Sequence, residues 1–140
     1  MSIEKNRAEG LRWLLTAEDD LEAAKILKKN GKFSFACFHA QQTAEKAVKA
    51  IYYLFDKEPR GHSIVKLLQG LVKQYSHLNK KKLGLMSKAR RLDQFYIPTR
   101  YPNGVPDMTP AEAFGEEDAK NGILYAQTFI NAVKKCFITL

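Results

Sequence analysis

The chain has 140 residues, 45% of them hydrophobic, which suits one domain covering residues 1–140 with its own buried core. No apolar run approaches the roughly 18 residues of a membrane span. Met1-Ser2-Ile3-Glu4-Lys5 has no apolar leader pattern, so a cytoplasmic chain without membrane contact is expected. The formal net charge of +8 favours an anionic partner (nucleic acid, nucleotide or an acidic protein surface), although the lysines are spread along the chain.

Apolar residues recur at three and four throughout, and no segment alternates as a strand would. The expected fold is therefore all-α, an antiparallel up-down bundle of about five helices. The first helix is predicted over 7–29, on a stripe of Leu11, Leu14, Ala17, Leu21, Ala24 and Leu27. Asn30-Gly31 stops it, since both residues tolerate the left-handed conformation of a helix end. The second is predicted over 33–55, with Ala36, Ala40, Ala44, Ala47, Ile51 and Leu54 inward. Four of these six are alanine, which lets a neighbouring helix come close. Pro59 and Gly61 break the chain.

A third helix is predicted over 63–75 with Ser63 as N-cap, and a fourth over 80–96, opened by Lys80-Lys81-Lys82 and carrying Leu85, Ala89, Leu92 and Tyr96. The connection over 97–115 is long for a compact domain and holds Pro98, Pro102 and Pro106. Thr109-Pro110-Ala111-Glu112 has the form of a capping box with proline at the first helical position, enough for a short helical turn. The last helix is predicted over 116–137, on the stripe Ala119, Ile123, Ala126, Ile130, Val133 and Phe137. Cys37 and Cys136 fall inside apolar helical patterns and read as two buried free thiols.

The second helix carries more than a core stripe. At about 100° per residue, and with His39 at zero, the alanines occupy an arc of about 20° to 140°. Gln41, Gln42, Glu45, Lys46 and Lys49 occupy the opposite arc. Phe35 and Phe38 fall in that polar arc, one turn apart. They mark either a dimer or partner contact, which would include Gln42, or burial beneath the long connection.

Gln41-Gln42-Thr43-Ala44-Glu45-Lys46-Ala47-Val48-Lys49-Ala50 resembles the Gln-Ala-x-Glu-Lys-x-x-Lys-Ala stretch of HEPN domains, the higher eukaryotes and prokaryotes nucleotide-binding domain. Trp13, Ala17, Asp19-Asp20-Leu21 and Ala24 resemble that family's first helix. His62-Ser63-Ile64-Val65-Lys66-Leu67-Leu68, Arg100-Tyr101-Pro102 and Glu117-Asp118-Ala119 with Ala126 resemble its later segments, in order. The resemblance implies a five-helix bundle that dimerises. It implies a nucleotide, RNA or minimal nucleotidyltransferase partner, often in a two-component toxin–antitoxin system. Some members of the family are metal-independent ribonucleases.

Their signature is an arginine followed, after four to six residues, by a histidine. Histidine titrates where proton transfer needs it, and arginine stabilises charge on a phosphate. The arginines here are Arg7, Arg12, Arg60, Arg90, Arg91 and Arg100, the histidines His39, His62 and His77, and no pair has that spacing. After Arg100 the positions are Val105, Pro106 and Asp107. A binding module without catalytic residues is therefore expected. A divergent ribonuclease would have to use Arg100, His62 and His39. A purely structural partner subunit is the remaining reading.

For ligand binding the candidates are His39, Lys46, Lys49, His62, Arg100 and Tyr101, converging on a phosphate, with His62 at a helix start where free backbone N–H groups favour an anion. The alternatives are local: His62 as a cap, His39 as a satisfied interior histidine, Lys46 and Lys49 paired with Glu45 or solvated, Arg100-Tyr101-Pro102 pinning the loop. His77 reads as solvated. No residues have zinc-ligand spacing and there is no glycine-rich phosphate loop, so neither metal nor cofactor is expected. Asp19-Asp20 and Glu116-Glu117-Asp118 read as helix surface and dipole ends.

Overall fold

The computed structural model describes residues 2–71, 78 and 83–138. Among them every regular element is helical: α1 (Ile3–Lys29), α2 (Phe33–Leu54), α3 (Ile64–Gln69), α4 (Leu85–Asp93), a 3-10 turn (Pro102–Gly104), α5 (Pro110–Ala113) and α6 (Glu116–Ile138). The all-helical bundle expected from periodicity is observed, with α5 as the short capped turn. Thr109 accepts from the Glu112 N–H while Glu112 accepts from the Thr109 N–H, and Pro110 stands at the first position, where no N–H is needed.

α1 begins earlier than its stripe suggests. The Ser2 side chain accepts from the Lys5 N–H and starts the helix at Ile3, one turn ahead of the predicted Arg7. Its far end follows expectation, with Asn30 at the cap and Gly31 at φ 77°. α2 then runs back along α1, and α6 packs across both. Ala36, Ala40, Ala44, Ala47, Ala50 and Ile51 are fully buried. The small side chains do bring helices close. A Cβ on Gly10 of α1 would stand 2.8 Å from the Ala50 carbonyl oxygen, and one on Gly122 of α6 would stand 3.4 Å from the Ala40 Cβ.

Two predicted helices are placed differently. α3 starts at Ile64 behind the Ser63 cap as expected but ends at Gln69, with Gly70 as its C-cap, while residues 72–75 of the predicted helix, like His77 and the Lys80-Lys81-Lys82 run, lie outside the described residues. α4 starts after Gly84, whose φ of 58° turns the chain into the helix. It ends at Asp93 rather than Tyr96. Pro98 has no N–H to continue the ladder and disfavours helical geometry at Ile97. Residues 94–100 pass instead through a run of turns, with the Arg100 N–H donating to the Ile97 carbonyl and the Thr99 hydroxyl to the Phe95 carbonyl. These turns carry Tyr96 and Arg100 back over the start of α2. Leu85, Ala89 and Leu92 of α4 join Ile64, Leu67 and Leu68 of α3 in the main core.

Cys37 and Cys136 are buried free thiols, as expected. Burial pushes both up to about 12.

Candidate functional site on the polar face of α2

α2 lies in the middle of the bundle, so burial extends beyond its alanine arc. Gln41, Glu45 and Lys49, which belong to the polar arc, are also buried. They remain polar because they satisfy one another. The Lys49 ammonium donates to Glu45 Oε2 at 3.0 Å, and Gln41 Nε2 donates to Glu45 Oε1 at 3.3 Å and to the His62 carbonyl at 3.1 Å. Gln42 Nε2 donates to Gln41 Oε1 at 2.8 Å. The loop before α3 adds His62, whose Nδ1 lies 3.2 Å from Glu45 Oε2.

A second carboxylate organises the upper half of this face. Asp20 of α1 holds His39 Nδ1 at 2.9 Å with one oxygen and the Lys46 ammonium at 2.6 Å with the other. Burial by itself would raise the Asp20 pKa, but the bonds from His39 and Lys46 outweigh it and hold the carboxyl below its usual range. Asp20 is therefore not a solvated helix-surface residue, as its sequence context suggests. The hairpin hinged at Asn30-Gly31 sets it opposite the His39–Lys46 stretch.

Aromatic rings and one guanidinium close the site. The His62 ring stacks on Tyr96 at 4.8 Å between centroids and 18° between planes. The Arg100 guanidinium lies 4.3 Å from the Phe38 ring centroid, 4.7 Å from that of Tyr96 and 5.1 Å from that of Tyr101, while its Nε–H donates to the Tyr96 carbonyl. Phe38 in turn meets His39 edge-on at 5.4 Å. At the other end, Trp13 of α1 stacks on Tyr53 at 4.9 Å, with the Lys49 ammonium 6.0 Å from its ring centroid.

The six predicted ligand-binding residues thus gather along one face, but in two groups. Arg100, Tyr101, His62 and His39 share the aromatic patch around Phe38 and Tyr96; Lys46 and Lys49 are drawn toward Asp20 and Glu45. Lys46 pairs with Asp20 rather than Glu45. His62 caps no helix. Nor are the N–H groups at the start of α3 open to an external anion: the Asp93 carboxylate accepts from the Ile64 N–H at 2.8 Å, the Val65 N–H at 3.1 Å and the Ser63 hydroxyl at 2.9 Å. Phe35 and Phe38 part company as well. Phe38 is covered by the turns after α4, whereas Phe35 is 48% exposed.

Six contributors are not among the sequence candidates: Trp13, Asp20, Gln41, Glu45, Tyr53 and Tyr96. Glu45 and Gln41 stand inside the family-like stretch, so that stretch is the available signal. Tyr96 reads in sequence as part of the stripe of the fourth helix. No group of three or more metal-ligating side chains occurs among the described residues, and no helix among them is long and apolar enough to cross a membrane.

Comparison with known proteins identifies the family and the fold. A family model for the HEPN domain matches residues 11–136. A candidate toxin of Methanocaldococcus jannaschii is 30% identical over 123 residues, spanning 84% of this chain and 81% of that protein. An archaeal HEPN homologue of known structure is 36% identical with a TM-score of 0.74, covering 92% of this chain and 98% of that one. A Thermus thermophilus protein superposes with a TM-score of 0.81 at 30% identity, over 91% of this chain and 97% of that one. A HEPN domain protein from Thermotoga maritima does so at 0.72 and 27%, over 92% and 99%. On this match and these relatives, the chain is a member of the HEPN family.

Proposed function

We propose that this chain is a HEPN binding module of the toxin–antitoxin kind, a dimer that holds nucleotide or RNA on the polar face of α2, a minimal nucleotidyltransferase partner, or both. The observation that carries this reading is the arrangement around Arg100. A guanidinium among three rings, with a stacked His62–Tyr96 pair beside it, offers flat surfaces for a base and positive charge for a phosphate. Exposed Phe35 at the edge of this face supports a protein contact next to it. The toxin-like relative supports the two-component setting.

A second reading, a metal-independent ribonuclease, is favoured by one specific feature. Arg100, His62 and His39 come together through Phe38 and Tyr96 although they are far apart in sequence. One experiment separates the two. Labelled single-stranded RNA is titrated with the protein in EDTA at several salt concentrations, and aliquots are run on a denaturing gel. The expected result is binding that weakens with salt and with Arg100→Ala, and RNA that stays intact. Cutting abolished by Arg100→Ala would replace binding with catalysis as the function. No binding even at low salt would leave only the structural-subunit reading. Dimer mass in Phe35→Ser, measured by light scattering, tests the contact.

A further inference from the structure

The furrow between α1 and α6 lies on the other edge of the α1 buried stripe from Trp13 and Asp20. Two adjoining hollows of about 320 Å³ each run along it and share Lys25. One is lined by Lys25, Lys28, Lys29, Lys120, Ile123 and Leu124. Its floor is aliphatic and open, with Leu124 57% exposed. Its rim is four ammonium groups. Lys28 reaches a carboxylate only at 4.0 Å, on Glu116, and Lys25, Lys29 and Lys120 make no ion pair among the described residues. The adjoining hollow is electrically different: Glu18 and Lys134 pair at 3.2 Å, and Glu22 stands nearby. Among the residues that line the furrow, the excess of positive charge therefore sits at the end where α1 finishes and α6 starts, with Glu116 of the first turn of α6 4.0 Å from Lys28 at its border.

Like charges gathered around exposed aliphatic side chains cost free energy in the isolated chain, and an opposite charge carried on an apolar support relieves both costs. We infer that this end of the furrow docks a partner protein through an acidic amphipathic helix, with carboxylates meeting Lys25, Lys29 and Lys120 and aliphatic side chains packing on Ile123 and Leu124. A helix fits better than a nucleic acid because the floor offers no aromatic ring and no guanidinium for bases. It fits better than a lipid surface because the apolar groups lie in a furrow between two helices rather than on a projecting edge. This inference does not depend on the α2 face, which lies across the bundle.

The test uses the full chain and a fluorescein-labelled synthetic helix with leucines on one face and glutamates on the other, read by anisotropy. A scrambled peptide of the same composition, a single-stranded RNA and anionic phosphatidylglycerol vesicles are run alongside. The expected result is binding of the amphipathic peptide alone at this site. It should weaken about tenfold in the Lys25→Glu, Lys29→Glu, Lys120→Glu variant, and weaken again in Leu124→Ser, which changes no charge. Circular dichroism shows that the variants keep their helices, and unchanged RNA affinity in Leu124→Ser keeps this outcome separate from that of the α2 face. Equal binding of the scrambled peptide, or no effect of Leu124→Ser, would reduce the furrow to a non-specific polycation and overturn the inference. Vesicle binding lost in the lysine variant would overturn it in favour of a membrane contact, and absence of peptide binding would overturn it outright.

Discussion

Both arcs of α2 hold buried side chains, and different physics puts them there. On one side alanines and Ile51 are buried because they are small and apolar, and the helices crossing them need nothing else. On the other, Gln41, Glu45 and Lys49 are buried although each is costly to remove from water. Burial here does not follow hydropathy; it follows whether every polar group finds a partner. The apolar arc holds the bundle together, while the polar arc holds a chemistry in place, and replacing residues on each side should separate the two roles.

The largest effect is expected on the polar side. Glu45→Leu removes the carboxylate that pairs with Lys49 and His62 among the described residues and leaves an ammonium buried without that counter-charge. Breaking such a pair costs about 3–5 kcal/mol, readable in urea unfolding. Replacing both partners, Glu45→Leu with Lys49→Leu, should recover most of that loss, since a buried ion pair exchanged for apolar residues is often neutral. If the double variant is as stable as the wild type yet loses RNA affinity, the polar arc serves the site. If it keeps full affinity, the arc serves only the fold. On the apolar side, Ile51→Ala should cost about 2–4 kcal/mol through the cavity it leaves, with RNA affinity per folded molecule unchanged. A parallel loss of affinity there would blur the contrast between the arcs.

A smaller effect is expected at α3. Asp93→Ala removes a carboxylate that accepts two backbone N–H groups and the Ser63 hydroxyl. Losing a cap of this kind costs about 1–2 kcal/mol. The loss should concentrate in α3 and the loop carrying His62, so hydrogen exchange at Ile64 and Val65 should quicken more than in α6. Uniform quickening would show that Asp93 supports the bundle as a whole.

The arcs also differ in how far the sequence exposes them. Spacing alone yields the apolar arc, the α5 capping box and the Asn30-Gly31 stop, because each is local: a period, a cap, a turn. The polar network is not local. Nothing near Asp20 announces His39 and Lys46, and nothing near Ser63 announces Asp93. These partners are set by the register of the α1–α2 hairpin and by how α4 lies against α3, which depend on packing across the bundle. Arg100 is singled out by its family-like element, but its three-ring setting is not, because Tyr96 reads as a core residue. Only the end of α4 ahead of Pro98 delivers Tyr96 to the surface patch.

The smallest effect is a dependence on pH at Asp20. Its folded carboxyl titrates below the ordinary value of 3.8, since His39 and Lys46 outweigh the burial that would raise it. A group depressed on folding adds stability that is fully present above its unfolded pKa and is lost as pH falls through the folded one. The window therefore lies below about pH 4. Asp20→Asn keeps the shape and removes the titration, so the wild type should lose more stability than the variant between about pH 7 and about pH 3 in urea titrations. Equal losses would mean that the Asp20 contacts carry no net charge-dependent energy. The result bears on the site as well as on the fold. The same carboxylate that steadies Lys46 and His39 also offsets the Lys46 charge, so at neutral pH Asp20→Asn should leave the Lys46 ammonium freer to meet an anion. RNA affinity at low salt should then rise even though the site has lost an anchor. A fall instead would show that holding these two side chains in place matters more to the face than the charge they present.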